Sequence, residues 1–277
     1  MPLALILSSH VAGSRVGGMA QALALAPFGI DPVVAPTVLF GRHPGWGAPG
    51  GGAVDTATFA GVLDGVEANG LLALTDLVIT GYFAFVGQVE VAAAAIDRVR
   101  ATAARPVVVV DPIMGDEGSG LYVKPDVAEA ISTLLVPRAD WLTPNAWELN
   151  RLTGLPVGSA TEAVLAARSL GRNVLATSVP CHEGEIGMVC ATAEAAARYC
   201  HRRLERVPHG TGDLVTAVLG AGLLDGGDPF AAAERAARAV AETVEAAALW
   251  GSPELPLVAL GERLVRPTAA LGVEPLS

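Results

Sequence analysis

Short runs of β-branched and other apolar residues recur along this chain, separated by longer alanine-rich stretches, and this alternation constrains the fold more than any other feature. Residues 3–7, 32–36, 76–80, 106–110, 141–143 and 173–177 read as strands. Their near-continuous apolar character fits strands buried on both faces rather than strands with one wet side. Between and after them, residues 18–26, 56–69, 86–102, 125–136, 161–170, 214–224 and 229–249 read as helices. An alternation of this kind predicts a three-layer α/β fold, with a mostly parallel central sheet covered by helices on both faces. Such sheets gather ligands at the carboxyl ends of their strands.

The 277 residues contain no linker, repeat or break in composition, so one domain spanning 1–277 is expected. A hydrophobic content of 52% raises the possibility of a membrane protein. No uncharged apolar run reaches the roughly 18 residues of a spanning helix. The opening residues lack a basic stretch and read as a buried first strand, so a cytoplasmic protein with no membrane partner is expected. A net charge of -10 without a basic stripe argues against a nucleic-acid partner. Arg202 and Arg203 are the only adjacent basic pair and fit a solvated face as well as an anion site. Cys181, Cys190 and Cys200 are odd in number and show no metal-site spacing, which predicts buried reduced thiols. Residues 45–52, rich in glycine and proline, predict a mobile flap.

Three segments carry chemistry. In Gly210-Thr211-Gly212-Asp213, the glycines let backbone N–H groups approach an anion, and the helix that follows adds its positive end. An acid at such a place can take a proton from an attacking alcohol while the N–H groups hold a phosphoryl group. A plain turn with Asp213 as a helix cap satisfies the same residues. Asn145 and Glu148 stand three apart after the strand at 141–143 and share a face of a helical first turn. They can hold the waters of a Mg²⁺ ion, or form a capping box. Asp111 directly follows the strand at 106–110, where a cation or phosphate partner is expected.

A strand-end Asp111, then Asn145-x-x-Glu148, then Gly210-Thr211-Gly212-Asp213 resembles the ribokinase-like kinases. Ser9-His10-Val11, Pro36-Thr37-Val38, His43-Pro44-Gly45 and Gly81-Tyr82 narrow the resemblance to the pyridoxal kinases, over most of the chain. The resemblance implies ATP as co-substrate, Mg²⁺ held at Asp111 and Glu148 through water, a monovalent cation, pyridoxal or a related B6 vitamer as substrate, and a homodimer. It makes Asp213 the catalytic base and Gly210, Thr211 and Gly212 the anion hole. Ser9, Thr37, Val38, His43, Tyr82 and Asp213 are the substrate-binding positions it implies. Asp111, Thr143, Asn145, Glu148, Thr177, Ser178, Gly210 and Gly212 are its ATP-binding positions.

Two departures stand out. Relatives often place a lysine or another polar group near the phosphates where this chain reads Thr177-Ser178-Val179-Pro180. Residues 12–18 replace a more polar and aromatic segment, which keeps hydroxymethylpyrimidine kinase as an alternative. A B6-vitamer-binding protein without catalysis is a third reading.

Overall fold

A computed structural model describes residues 1–102 and 105–276; positions 103, 104 and 277 of the expected domain lie outside the described residues. In chain order the elements are β1 (Leu3–Val11), α1 (Gly17–Leu25), β2 (Asp31–Phe40), β3 (Gly51–Ala53), α2 (Thr56–Ala68), β4 (Leu77–Thr80), α3 (Val86–Arg100) and β5 (Val107–Val110). A small hairpin follows, β6 (Gly115–Asp116) and β7 (Gly120–Leu121), and then α4 (Pro125–Ala130), β8 (Trp141–Leu142), α5 (Ala146–Thr153) and α6 (Ala160–Ser169). The last part holds β9 (Asn173–Pro180), β10 (Glu185–Ala191), β11 (Ala196–Arg202), α7 (Thr211–Leu224), α8 (Pro229–Trp250), α9 (Gly261–Val265) and β12 (Gly272–Leu276).

The main sheet runs in the order β12-β11-β10-β9-β8-β5-β4-β1-β2-β3. From β9 across to β2 every neighbouring pair is parallel. β1 explains the unbroken apolar run read from the sequence. Leu5 and Leu7 point into one core with Phe59, Ile96 and Val110, while Ala4 and Ile6 point into the other with Leu214, Val218 and Ala236. The second core relies on alanine because α7 and α8 lie close together over the sheet, and a Cβ on Gly222 would come within 2.7 Å of Ala232. Chain order moves from β1 to β2 on one side and then to β4 on the other. That reversal opens a crevice at the carboxyl ends of the strands.

The expected strands and helices are present, and three features differ from expectation. Antiparallel strands β10, β11 and β12 extend the sheet beyond β9. Their charged and small residues, as in Ala196–Arg202, hide a strand from any search for apolar runs. Residues 45–52 do not form a bare flap. β3 pairs with β2, and Gly41 N–H donates to Pro49 O at 3.0 Å, making a hairpin. The cysteine reading is corrected: Cys181 and Cys200 are joined in a disulfide, and only Cys190 is a free, buried thiol. Antiparallel strands missed in the sequence bring these two distant residues together. No helix among the described residues is long and apolar enough to cross a membrane.

Candidate active site

The strand order distributes the expected site residues along the crevice. Ser9 lies near the end of β1, Thr37 and Val38 on β2, and Tyr82 just after β4. On the far side, Thr143 and Asn145 follow β8, and Thr177 and Ser178 lie on β9. Asp111 follows β5 between the two groups, and Asp213 meets it from the first turn of α7. A Cβ on Gly212 would lie 3.6 Å from Asp111 Oδ2, so the glycine loop and the strand-end acid are in van der Waals range.

Asp213 is buried, and its carboxylate is held from α1. Gly17 N–H donates to Oδ2 at 2.7 Å, and Gln21 Nε2 donates to Oδ1 at 3.3 Å. Burial raises its pKa to about 6, against the lowering effect of the Gly17 bond. Gly17 has φ +58, and a Cβ there would sit 2.1 Å from Ser9 Oγ, so only glycine fits this turn. Gly210, φ +95, passes equally close to Arg15 O. The first bond within α7 runs from Leu214 N–H to Gly210 O. The N–H groups of Thr211, Gly212 and Asp213 precede it and are the donors a helix leaves without intrahelical partners.

Asp111 is buried, and its pKa is raised well above the ordinary carboxylate value by burial, then by Glu148 and Asp213. Thr216 Oγ1 donates to Asp111 Oδ2 at 3.2 Å and shares a 2.8 Å bond with Thr143 Oγ1. Thr143 therefore reaches the acid group through Thr216, a residue that sequence reading passed over. Its signal was the one threonine in the apolar run 214–224, three positions beyond Asp213.

Asn145 and Glu148 form the capping box. Asn145 Oδ1 accepts from Glu148 N–H, and Glu148 Oε2 accepts from Asn145 N–H, both at 2.9 Å. Glu148 does more than cap: its Oε1 accepts from Met114 N–H at 2.8 Å and Gly115 N–H at 3.3 Å, while Asn145 Nδ2 donates to Gly115 O. The pair clamps the loop that follows Asp111. Burial raises Glu148 to about 7 despite these three N–H bonds.

On the other flank, Thr37 Oγ1 donates to Tyr82 O at 2.6 Å, tying β2 to the loop after β4. Gln88, fully buried and unnoticed in the sequence, donates to Thr37 O and Val54 O and accepts from Ala84 N–H. Val38 and Ser9 are buried, and Tyr82 is half-buried. His43 stacks on His209, with centroids 4.0 Å apart and rings inclined by 20°, so the hairpin rests on the residue before Gly210. Burial, then His209, lowers the His43 pKa, against a raising effect of Glu254. Glu254, from the segment after α8, accepts from Ser14 Oγ and Arg15 N–H at 3.0 and 2.7 Å. It braces the turn that carries Gly17.

A cavity of about 380 Å³ opens beside the glycine loop at 210–212. Thr211 and Gly212 form one end, Thr177 and Ser178 another, and Met188, Val215, Val240 and Val244 an apolar wall. Ser178 has φ +57 at an irregularity between β9 and β10, the kind of bulge that re-aims side chains at functional sites. The cavity has no lysine in its lining. Its basic residues are Arg202 and Arg203, the adjacent pair in the sequence, together with His201.

The phosphomethylpyrimidine kinase family model matches residues 76–257. A pyridoxine/pyridoxal/pyridoxamine kinase of Bordetella avium (strain 197N) is 37% identical over 90% of this chain and 86% of its own length. Pyridoxal kinase from Entamoeba histolytica superposes with a TM-score of 0.91 at 26% identity, covering all of both chains. Pyridoxal kinase from Leishmania donovani, solved in complex with ADP and pyridoxamine, gives a TM-score of 0.91 at 28% identity, again over all of both chains. A family model spanning most of the chain and a relative of this identity lead to one assignment: the chain belongs to the pyridoxal kinase family of ribokinase-like kinases.

Proposed function

We propose that this chain, as a single kinase domain over 1–277, transfers the γ-phosphoryl group of ATP to the 5′-hydroxymethyl arm of pyridoxal or a related B6 vitamer, giving the 5′-phosphate and ADP. One observation carries the reading. A buried carboxylate with a pKa near 6, Asp213, sits on the first turn of α7, beside a cavity lined by Thr211 and Gly212. Near neutral pH that group is largely ionised, yet basic enough to accept a proton as the hydroxyl attacks. The substrate oxygen forms a bond to the γ-phosphorus, the bond to the β-phosphate oxygen breaks, and ADP leaves. The N–H groups of Thr211, Gly212 and Asp213 offer hydrogen bonds to the oxygens of the moving group. Ser9, Thr37, Val38, His43 and Tyr82 orient the ring. Thr143, Asn145, Thr177 and Ser178 line the ATP side.

Mg²⁺ suits the acids at the centre. Asp111, Glu148 and Asp213 are buried together, and Asp111 is raised by both of its neighbours, a repulsion that a cation relieves. Three backbone N–H bonds already occupy Glu148, so Glu148 would reach the ion through water, and Asp111 would hold it with Glu148 in the same way. When bound, Mg²⁺ neutralises charge on the nucleotide phosphates. A monovalent cation, a homodimer and a cytoplasmic location complete the reading.

Phosphorylation of hydroxymethylpyrimidine is the second reading, favoured by the description of the matching family model. A coupled assay of ADP release against pyridoxal, pyridoxine, pyridoxamine and hydroxymethylpyrimidine decides between them. Turnover with a B6 vitamer and little with the pyrimidine is the expected result. The reverse ranking establishes the second reading, and vitamer binding with no ADP release establishes a non-catalytic binder.

A further inference from the structure

Cys181 and Cys200 lie outside the catalytic group, and their setting ties them to the wall of the cavity. β10 runs between the segments that carry them. Gly187 is the register partner of Cys200 on one side and of Val179, two residues before Cys181, on the other. The bridge therefore crosses β10 at Gly187. A Cβ there would lie 2.8 Å from Cys181 Sγ, so the absence of a side chain is what lets the bridge pass. The two Cα atoms are 6.3 Å apart, inside the range a disulfide spans without backbone movement.

The bridge also has a polar neighbour. A carboxylate oxygen of Glu185 lies within 4.8 Å of both sulfurs. Glu185 Oε2 is buried and has no hydrogen-bond partner among the described residues, which leaves an acceptor free on the side chain beside the pair. Cys181 is partly exposed and gives an external reagent access to the pair. Cys190 is buried, with its thiol pushed up to about 12 by burial and then by Asp228, which takes it out of exchange at neutral pH.

The crossing point of the bridge and its Cys200 end both lead into the cavity wall. Gly187 lines the cavity with its neighbours Ile186 and Met188, as do His201, Arg202 and Arg203 immediately after Cys200. Arg203 N–H donates to Gly184 O at 2.9 Å, fastening that segment to the β9–β10 side. With the bridge closed, this wall is held covalently as well as by strand pairing.

We propose that Cys181 and Cys200 form a reversible thiol–disulfide pair that sets the affinity of the neighbouring cavity for nucleotide. The inference rests on ATP being the phosphoryl donor that this cavity receives. The exchange is with a low-molecular-weight disulfide. A thiolate of the pair attacks it and expels one thiol, and the second cysteine then displaces the other. The Cys181–Cys200 bond forms, the external S–S bond is cleaved, and two electrons and two protons end on the two released thiols. Ordering the wall before nucleotide arrives lowers the entropy lost on binding, so the oxidised form binds more tightly.

The test equilibrates the full chain with either dithiothreitol or oxidised glutathione and removes the reagent. Maleimide labelling under denaturing conditions then counts free thiols, and calorimetry with ADP and steady-state kinetics follow on the same samples. Labelling should find all three cysteines after reduction and Cys190 alone after oxidation. The KM for ATP and the Kd for ADP should be about threefold lower in the oxidised form, a gain typical of modest preorganisation. The KM for the vitamer and kcat should remain within about twofold, because Asp213 and its supports are untouched. Cys181→Ser and Cys200→Ser should each abolish the response, and Cys190→Ala should retain it. The proposal is overturned by a thiol count that does not change on oxidation, by a bond that maps to Cys190, or by equal ADP affinity in the two states. If no vitamer is phosphorylated, the functional reading falls, while the thiol count and ADP titration still decide this one.

Discussion

Replacing Asp213 with asparagine should abolish most turnover and, at neutral and alkaline pH, stabilise the fold. The carboxylate is buried, and its pKa moves from the ordinary 3.8 to about 6. A folded-state pKa above the unfolded one means that the native protein binds the proton more tightly. The associated stability is therefore full below 3.8 and is lost as the pH rises through 6. With each pH unit worth about 1.4 kcal/mol, the raised pKa of Asp213 costs about 3 kcal/mol at pH 8 and about half as much at pH 5. Asparagine removes that cost at little loss of bonding. Its carbonyl oxygen can still accept from Gly17 N–H, and its NH₂ group can donate to Gln21 Oε1. That oxygen is buried without a partner among the described residues, and a half-turn of the Gln21 amide presents it. At roughly 2 °C per kcal/mol, the melting temperature should rise by about 6 °C at pH 8. Calorimetric melts of both proteins at pH 8 and pH 5 measure this, and the same preparations give kcat, expected to fall by about 10²-fold or more. A variant that melts below the parent at pH 8, or whose advantage does not shrink at pH 5, refutes the burial argument. Retained turnover removes Asp213 from the chemistry.

Glu148→Gln puts an NH₂ group against one of the three backbone N–H groups that Glu148 now accepts from, leaving a buried donor unpaired at about 1–3 kcal/mol. Thermal melts should show that loss, and activity should partly recover at high Mg²⁺; full activity at limiting Mg²⁺ reduces Glu148 to a clamp. Gly17→Ala forces a φ of +58 on alanine, about 1–2 kcal/mol of strain, and drives a Cβ to within 2.1 Å of Ser9 Oγ. Its kcat should fall with that of the Asp213 variant, because the Gly17 N–H holding the carboxylate must move; wild-type kcat in a folded protein refutes the positioning role. The lowered His43 pKa means that the stacked hairpin favours neutral imidazole, so its stability is present above 6.5 and is lost as the pH falls below it. Proteolysis near Gly50 should quicken between pH 7 and pH 5.5, and His43→Phe should remove that dependence; identical profiles for the two proteins refute the latch.

The apolar runs and alanine-rich tracts gave away the parallel core, because a strand buried on both faces cannot hide its composition. The glycine loop before α7 was legible for a similar reason. Gly210, Thr211, Gly212 and Asp213 are contiguous, and the helix they begin follows from local sequence alone. Asn145 and Glu148 were legible as a pair, but not as the clamp on Met114 and Gly115, since that bond spans more than thirty residues. The supports of Asp213 were invisible. Gly17 and Gln21 lie nearly two hundred residues from Asp213, and only the packing of α1 against α7 brings them to it. The same holds for Glu254 behind the Gly17 turn and for Thr216 beside Asp111. The antiparallel strands β10 to β12 escaped notice because they are mixed in polarity and strung with small residues. With them went the Cys181–Cys200 bridge and the place of Arg202 and Arg203 on the cavity wall. The order of residues was enough for the layered fold, for the glycine loop at 210–212 and for naming Asp111, Glu148 and Asp213 as the acids to look at. Tertiary structure alone decided how those acids are desolvated, which backbone N–H groups face them and hence how basic they are. Burial and long-range hydrogen bonds belong to the packed chain and have no signature at the level of neighbouring residues.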